Sequence, residues 1–297
     1  GVNDKGQIRF GLGGVKGVGE AAVQSIIEER TANGHFTNIF NLTSRISNKA
    51  ANKRCLESLA QAGAFDCFEG IHRAQYFALD TKDAVSGVER AIKFGSAMGS
   101  QSQLAQHSLF GDSMQDEITI PSLPNCEPWS KLEALGKEKE VIGFYISGHP
   151  LDDYRFELQH FCNVTAERLA HDLNRYRNRE VCFAGIITEA NHRMSKTGKP
   201  FGNFTVEDLS GNFQITLFGE DYGKFKQFLN TESIIFIKGK VSSRFNNPDD
   251  WEFKPMALQF LSDVGEKMTK QITLKMSMWS INNDVIALMS DLLSANK

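Results

Sequence analysis

The stretch Leu12–Arg30 reads LGGVKGVGEAAVQSIIEER and predicts a glycine-rich hairpin that leads directly into an amphipathic helix. Five glycines lie between Gly11 and Gly19, and glycine permits the positive φ angles and close backbone approach that such a turn requires. The helix start directs free N–H groups and a positive dipole end at one point, where a phosphate binds well. The spacing of the glycines excludes a P-loop and a dinucleotide-binding fingerprint.

Two interpretations of this hairpin remain open. It is either the turn of a helix–hairpin–helix that binds the phosphodiester backbone of DNA, or an ordinary glycine-rich turn that caps a helix. In the first interpretation the residues at the DNA are Gly14, Lys16, Gly17, Val18 and Gly19.

The composition, with 41% apolar and 23% charged residues in 297, is that of a globular protein with two or three domains. No apolar run approaches the ~18 residues of a membrane span, so we expect no membrane association. The five cysteines are scattered without a C-x-x-C pair, which indicates reduced thiols and a cytoplasmic location. No histidine or cysteine spacing suggests a metal site.

The net charge of −3 is unevenly distributed along the chain. Residues 1–60 carry eight basic and five acidic side chains, and residues 175–260 carry twelve and ten. Residues 61–174 carry nine basic against seventeen acidic side chains. Because local charge determines phosphate affinity, the mildly basic ends are the parts expected to bind nucleic acid, weakly and in a salt-sensitive way.

Four helices are predicted in the first half, at Glu20–Arg30, Lys49–Ala62, Ile71–Phe94 and from a Ser130 cap to about Tyr145. The helices Glu20–Arg30 and Lys49–Ala62 are each expected to belong to a helix–hairpin–helix pair, and the two pairs pack together. The second pair lacks the glycine hairpin. Lys53 and Arg54 lie near the start of its helix. They either contact DNA or occupy a solvated helix face.

The stretch Gly95–Ser130 is rich in Ser, Gln, Gly and Pro and is predicted to be a linker. Within it, Gln106-His-Ser-Leu-Phe110 places a glutamine three and four residues before two large apolar side chains. This spacing is typical of a docking peptide, with Leu109 and Phe110 as anchors and Gln106 and Ser108 at the rim. The alternative is a loop whose Leu-Phe pair packs on its own domain.

From Glu180 the apolar pattern changes to strand periodicity. Three strands, a helix over residues 219–229 and two further strands predict an OB-fold barrel, with Gly185 at the bend of the first strand. The predicted strands are Val181–Arg193, Phe201–Asp208, Phe213–Phe218, Ser233–Arg244 and Trp251–Leu261.

OB barrels bind single strands on the face of the second and third strands, between two loops. The candidate residues in and beside these loops are Arg193, Lys196, Lys199, Arg244, Phe245 and Trp251. Trp251 either stacks on a base or closes the end of the barrel. Beyond the barrel, one strand at Lys270–Met278 and a Ser280-capped helix to Leu293 predict part of a further domain.

Three strings carry a resemblance to a known family: Ile8–Arg30, Asn52–Asp66 (NKRCLESLAQAGAFD) and Glu138–Tyr154 (EKEVIGFYISGHPLDDY). They resemble the alpha subunits of bacterial replicative DNA polymerase III, the C-family polymerases. The resemblance implies a parent enzyme that is a DNA-directed DNA polymerase, a nucleotidyltransferase that uses Mg²⁺ and a carboxylate cluster in its palm. No Asp-x-Asp on a strand corresponds to that cluster, so we expect this stretch to lack catalytic residues and cofactors.

The resemblance further implies partners in DNA replication: double-stranded DNA, single-stranded template, a sliding clamp that takes a Q-x-x-L-F peptide, and other replisome subunits at the C-terminus. The expected fold class is multidomain α+β. Its parts are a tandem helix–hairpin–helix unit (1–68), a helical extension (69–98), a linker (99–130), a helical connector (131–175), an OB-fold (176–264) and a partial α/β domain (265–297).

Two other functions remain as alternatives. OB barrels also bind RNA, including tRNA, and the sequence of the barrel does not separate RNA from DNA. A helix–hairpin–helix DNA repair enzyme, such as a glycosylase, would need a catalytic Asp or Lys beside a base-flipping pocket, whereas the helical region here is followed by a linker and a barrel.

Overall fold

The computed structural model describes residues 6, 10–80, 84–107, 119–244, 247–271, 273 and 275–295. The chain forms two compact units, Gly1–Asp153 and Tyr154–Lys297. Within the described ranges, no helix combines the length and apolar character needed to cross a lipid bilayer. The predicted connector 131–175 contributes residues to both units.

The first unit is helical. Its helices are α1 (Glu20–Asn33), α2 (Ile39–Arg45), α3 (Lys53–Gln61), α4 (Gly87–His107) and α5 (Lys131–Ile142), with short 3₁₀ turns at Leu12–Gly14 and Arg73–Tyr76. Helix α1 runs three residues beyond the predicted Arg30. It ends where Gly34, at a φ of +80°, donates its N–H to the carbonyl of Arg30 at 3.0 Å; glycine adopts this positive φ without steric cost.

Helix α3 begins later than predicted. The carbonyl of Ser47 accepts from the N–H groups of Ala50 and Ala51, so Ser47–Ala51 is a turn. The cap is Asn52, whose Oδ1 accepts from the N–H of Cys55 at 3.0 Å. Leu56, Leu59 and Ala60 of α3 are almost fully buried in the core of the unit, together with Ile39 of α2 and Val88 of α4.

The predicted helix at Ile71–Phe94 is wrong. The helix in this region is α4, which begins only at Gly87 and continues to His107. Ser86 and Glu89 cap its start: the N–H of Ser86 donates to the Glu89 carboxylate at 3.0 Å, and the N–H of Glu89 donates to Ser86 Oγ at 3.3 Å. A Cβ on Gly95 would overlap the carbonyl of Thr43, so glycine here allows α4 to pack closely on α2. The predicted linker is therefore helical as far as His107.

Helix α5 begins at the predicted Ser130 cap, whose Oγ accepts from the N–H of Glu133 at 3.2 Å. It ends at Ile142, three residues before the predicted end, because Gly143 takes a φ of +97°. Glu138 of α5 is buried and accepts hydrogen bonds from the N–H groups of Ile146 and Ser147 at 2.6 and 2.8 Å. The segment that follows the helix is thereby held against it.

The second unit is built on five antiparallel strands: β1 (Glu180–Met194), β2 (Pro200–Glu207), β3 (Asn212–Phe218), β4 (Ile234–Arg244) and β5 (Asn247–Phe260). Their order in the sheet is β3-β2-β1-β4-β5. The remaining elements are α6 (Arg155–Phe161), α7 (Ala166–His171), α8 (Gly219–Phe225), α9 (Val264–Met268) and α10 (Asn283–Ala295). This is the strand and helix order predicted for the OB-fold.

The sheet is open, which corrects the predicted closed barrel. No backbone hydrogen bond joins β3 to β5 among the described residues. Three rings close the interior instead: those of Phe183, Phe213 and Phe253 lie pairwise 5.7–5.9 Å apart. At Gly185, a Cβ would overlap the carbonyl of Glu207 on β2, so glycine serves the close approach of two strands.

Asp208, in the turn between β2 and β3, fixes α7 to the sheet. Its carboxylate accepts from the N–H of Ala166 at 2.7 Å and from the N–H of Ser210 at 2.7 Å. After β5, the predicted strand Lys270–Met278 is wrong: its described residues form no strand, and Met278 begins a 3₁₀ turn. The predicted C-terminal helix is present as α10, with Asn282 rather than Ser280 accepting at its start.

Candidate nucleic-acid interfaces

The glycine hairpin is anchored to the helical unit by its apolar residues and by one backbone bond. Val15 and Val18 are buried, and the N–H of Lys16 donates to the carbonyl of Val141 at 2.8 Å. The side chain of Lys16 is exposed. A turn held in this way keeps a fixed shape while it presents Lys16 to solvent.

The end of the hairpin presents a group of unsatisfied donors. Among the described residues, no acceptor contacts the backbone N–H groups of Gly17, Gly19, Glu20 and Ala21. They lie at and just before the start of α1, a helix of 14 residues, where the helix dipole is positive. This arrangement can bind one phosphate oxygen or two neighbouring ones.

Helix α3 brings a second cation to the same place. A Cβ at Gly17, whose φ is +89°, would lie 3.4 Å from Arg54 Nε and 3.0 Å from Ser58 Oγ. Arg54 therefore stands beside the hairpin, in a cleft of about 180 Å³ that Lys16 also lines. The acids Glu57 and Glu140 line this cleft as well, so their charges balance those of Lys16 and Arg54.

Two residues of the predicted contact set have other roles. Lys53 Nζ lies 2.8 Å from Glu89 Oε1 and 3.7 Å from Glu57 Oε1. The hydrogen bond from Lys53, with others from Ser86, lowers the pKa of Glu89 to about 2. Gly14 packs against the ring of Phe10, where a Cβ would lie only 2.7 Å from Phe10 Cζ. Lys53 thus ties α3 to α4, and Gly14 shapes the hairpin.

In the OB sheet, Lys196 and Lys199 lie in the turn between β1 and β2. Gly198 has a φ of +76°, and the N–H of Ser195 donates to the carbonyl of Lys199 at 2.8 Å. Both lysine side chains are exposed and have no ion-pair partner in the described part of the chain. They are therefore available to an anion, as the sequence predicts for this turn.

Beside this turn, the predicted Arg193 lies in a row with two aromatic side chains that the sequence reasoning missed. Arg193 of β1 pairs in register with Phe201 of β2, which pairs with Phe218 of β3. The rings of Phe201 and Phe218 are stacked with centroids 5.5 Å apart, and Phe218 is 64% exposed. Strict alternation along β2 and β3 was the available signal, because it places these residues on the outer face.

The residues predicted for the loop between β4 and β5 do not share the exposed surroundings of the turn lysines. Trp251 packs against the core of the sheet, and the guanidinium of Arg177 lies 5.1 Å from the centre of its ring. It shares the core-facing side of β5 with Phe253, so it does not belong to the exposed row. Arg244 pairs through its backbone with Asn247, and Phe245 lies outside the described residues.

The predicted docking peptide is only partly described. Gln106 lies in the last turn of α4, whereas Ser108, Leu109 and Phe110 lie outside the described residues. Across the part of the chain that the structure covers, no three acidic, histidine or cysteine side chains form a group that could hold a metal ion.

Comparison with known families agrees with this division of the chain. Residues 2–76 match the model of the helix-hairpin-helix motif, and residues 181–260 match that of an OB-fold nucleic acid binding domain. Each of the two candidate interfaces therefore lies in a region with a recognised domain type.

Among curated proteins, DNA polymerase III subunit alpha of Escherichia coli (strain K12) is 32% identical over 242 residues, which cover 81% of this chain and 20% of that protein. The subunit of the same name from Pseudomonas fluorescens is 28% identical over 308 residues, covering 100% of this chain and 25% of that protein. The chain thus spans a fifth to a quarter of the length of these relatives.

Among solved structures, the second OB-fold domain of replication protein A from Methanococcus maripaludis aligns at 14% identity and a TM-score of 0.20, covering 33% of this chain and 91% of that one. This likeness is too slight to support a functional argument.

Proposed function

We propose that this chain, a homologue of one part of DNA polymerase III subunit alpha, holds DNA during replication. The helical unit binds the backbone of the duplex, and the OB sheet binds the single-stranded template. The observation that carries this proposal is the group of free N–H donors at the start of α1, beside Lys16 and Arg54. We propose that the polymerase reaction, which uses Mg²⁺, is carried out by parts of the parent polymerase other than residues 1–297.

The proposed contact with the duplex does not require recognition of the DNA bases. Backbone N–H groups and two cations suit phosphate oxygens, and phosphate contacts position a protein without specifying sequence. The two acids of the cleft balance its two cations, so we expect the binding of the duplex to be weak and salt-sensitive. A hairpin of this kind is suited to a DNA that moves past it.

The single-strand contact combines stacking with charge. Neighbouring strands lie about 4.8 Å apart, so Arg193, Phe201 and Phe218 form a row about 10 Å long. Bases can stack on the exposed ring of Phe218, while Arg193, Lys196 and Lys199 reach the phosphates. Polar side chains continue the outer face: Asn203 and Gln214 are hydrogen-bonded to each other at 3.0 Å.

The hairpin can be tested with glycine substitutions. Gly19→Ala should weaken duplex binding about fivefold without changing stability, because a Cβ there meets nothing within 4 Å. Gly17→Ala should weaken it about tenfold and also cost ~1 kcal/mol of stability, because its φ is +89°. Fluorescence anisotropy with a labelled duplex at low salt measures the affinity.

Gly99→Ala is the matched control for the hairpin, since its Cβ also meets nothing within 4 Å and it lies in α4. It should leave duplex affinity unchanged. If both hairpin variants bind the duplex as tightly as the parent chain does, the hairpin is not part of the interface.

We further propose that Gln106–Phe110 docks on the sliding clamp. Replacing Leu109 and Phe110 together with alanine should lower the affinity for the clamp about tenfold, because two apolar anchors are lost. Surface plasmon resonance with immobilised clamp measures this change. Asp112→Ala is the control in the same stretch, and undiminished binding of the double variant would place the docking site elsewhere.

We also propose that the C-terminal segment binds other replisome subunits and that the protein acts in the cytoplasm. Support for the first assignment is the exposed apolar surface around α10, where Trp279 is 98% exposed and Ile286, Leu288 and Leu292 are about half exposed. Apolar surface of this extent marks an interaction site.

A further inference from the structure

The turn that precedes β1 carries arginines at alternate positions. Residues 172–179 read DLNRYRNR, which places Arg175, Arg177 and Arg179 two residues apart, and we call this segment the arginine turn. All three arginine side chains are exposed. None of them forms an ion pair with any residue that the structure describes, so their charges are available to an anion from solution.

Backbone hydrogen bonds fix the arginine turn to β4. Asn178 has a φ of +58°, a left-handed conformation that asparagine adopts more readily than most residues. Its N–H donates to the carbonyl of Val241 at 2.9 Å, and the N–H of Val241 donates to the carbonyl of Arg179 at 3.1 Å. Leu173 and Tyr176 pack against the core of the sheet. Because the turn has a fixed shape, a ligand does not have to order its backbone.

Side-chain contacts orient Arg177 without neutralising it. Its guanidinium lies 5.1 Å from the centre of the ring of Trp251, a contact that attracts a cation to an aromatic face. Its Nε and Nη2 atoms donate to Oδ1 of Asn174 at 3.4 and 3.2 Å. Both partners are uncharged, so Arg177 is held in place and keeps its full positive charge.

The charge around the arginine turn is positive in sum. Besides the three arginines, the cations on the neighbouring strands are Lys238, Lys240 and Lys254, and the acids are Asp172, Glu180, Asp250 and Glu252. Two of these acids are paired with lysines: Glu180 lies 2.8 Å from Lys238, and Glu252 lies 3.1 Å from Lys254. The positive surplus therefore falls on the arginines, where it attracts phosphate groups.

The arginine turn and the lysine turn lie at opposite ends of one strand. Strand β1 begins at Glu180, directly after the arginine turn, and ends at Met194, directly before the turn of Lys196 and Lys199. At about 3.3 Å per residue, the backbone from residue 179 to residue 193 spans at most about 46 Å. OB-folds bind single strands of about 4–16 nucleotides, so one strand can reach both ends.

We propose that the arginine turn binds phosphates of the same single strand that stacks on the row of Arg193, Phe201 and Phe218, as a second and separate contact. Guanidinium groups match phosphate oxygens in geometry as well as in charge. The inference rests on the proposed binding of single-stranded template and adds a contact outside the sheet and its two loops. An acidic peptide is favoured less, because it would gain nothing from the exposed aromatic row on the same unit.

The test uses the full chain and labelled oligothymidines of 4 and 16 nucleotides. Replacing Arg175, Arg177 and Arg179 together with glutamine should weaken binding of the 16-mer about tenfold. Binding of the 4-mer, which is too short to leave the row, and of a blunt duplex should stay within twofold. The slope of log affinity against log salt for the 16-mer should become less steep by about 2, because three phosphate contacts are removed.

Three variants serve as comparisons. Lysine at all three positions keeps the charge and should bind the 16-mer within threefold of the parent chain. Arg168→Gln, at an exposed arginine of α7 outside the turn, should bind it within twofold. Replacing only Arg175 and Arg179 with glutamine leaves Arg177 on the ring of Trp251 and should weaken binding about fivefold, a test that remains if the triple variant fails to fold.

The outcomes separate this inference from the proposed function. If the Arg193 and Phe218 double variant loses affinity for the 16-mer and the triple glutamine variant does not, the second contact is wrong and the proposed single-strand binding stands. Equal weakening of the 4-mer and the 16-mer by the triple variant would also overturn a separate contact. If the parent chain binds no oligothymidine, both fail. Loss of binding to a hexaglutamate peptide, with binding of the 16-mer unchanged, would assign the arginine turn to an acidic protein instead.

Discussion

Replacing Phe218 with leucine and Arg193 with glutamine should lower the affinity of the chain for oligothymidine about thirtyfold. Stacking of one base on an aromatic ring contributes ~1–3 kcal/mol, and leucine keeps the apolar surface but not the π face. A loss of about 2 kcal/mol corresponds to this change in affinity. Anisotropy with a labelled oligothymidine measures it, and the salt dependence should become less steep because one phosphate contact is removed.

Leu209→Ala is the control for the double variant. Leu209 is also exposed, but it lies in the turn at the opposite end of the β2–β3 hairpin. This control should bind oligothymidine as the parent chain does. Parental affinity of the double variant would show that single strands bind elsewhere on the unit.

Replacing Glu138 with alanine should lower the free energy of unfolding of the helical unit by about 3 kcal/mol. The carboxylate is 1% exposed and accepts from Ser147 Oγ at 2.8 Å and from Arg73 Nη1 at 3.3 Å, besides two backbone N–H groups. Without it, those backbone donors lose their acceptor and a guanidinium loses a buried partner. The midpoint of thermal unfolding, followed by circular dichroism, should fall by about 6–12 °C.

The same residue predicts a pH dependence. Burial raises the pKa of Glu138, but hydrogen bonds from Ser147, Ile146 and Arg73 outweigh this effect and leave the pKa below its ordinary value of 4.5. Its contribution to stability is therefore present above about pH 4.5 and is lost as the pH falls through the lower, folded-state pKa. In Glu138→Ala, this part of the acid destabilisation should be absent.

Glu133→Gln provides the comparison within α5. Glu133 is half exposed and lies 3.7 Å from Lys137, one turn further along, so its loss should cost less than about 0.5 kcal/mol. If Glu138→Ala costs no more than Glu133→Gln does, the buried carboxylate does not hold the segment 143–148 in place.

The local patterns in the sequence predicted a large part of the fold. Helical spacing after the hairpin located α1, and strand alternation located all five strands of the OB sheet. The resemblance to polymerase III alpha subunits is confirmed by homologues over most of the chain. The pairing of β1 with β2 and β4 follows from the OB topology once the strands are known.

The errors arose where a distant contact decides a residue's role. Gly95 looks like a helix breaker, but it is required by the carbonyl of Thr43 on another helix. The Ser86–Glu89 cap is an exception, because it is a local signal that the apolar residues before it obscure. Lys53 could not be assigned from its own helix, because its partner Glu89 is 36 residues away.

The candidate sites were predicted in the same uneven way. The hairpin residues and the turn lysines follow from local composition, whereas the contribution of Arg54 to the hairpin depends on how α3 packs. The Phe201–Phe218 pair depends on the register of β2 and β3. Trp251 was placed near a loop by its position, but the face of β5 to which it belongs puts it on the core.

The most direct test of the account is a comparison of three labelled DNAs: a blunt duplex, an oligothymidine, and a duplex with an oligothymidine overhang. With two binding surfaces in one chain, the overhang DNA should bind at least tenfold more tightly than either simpler DNA. Gly19→Ala and the Arg193 and Phe218 double variant should each remove much of this advantage, at about 50 mM salt. Equal affinity for all three DNAs, unchanged by either variant, would contradict the claim that this chain holds duplex and template on separate surfaces.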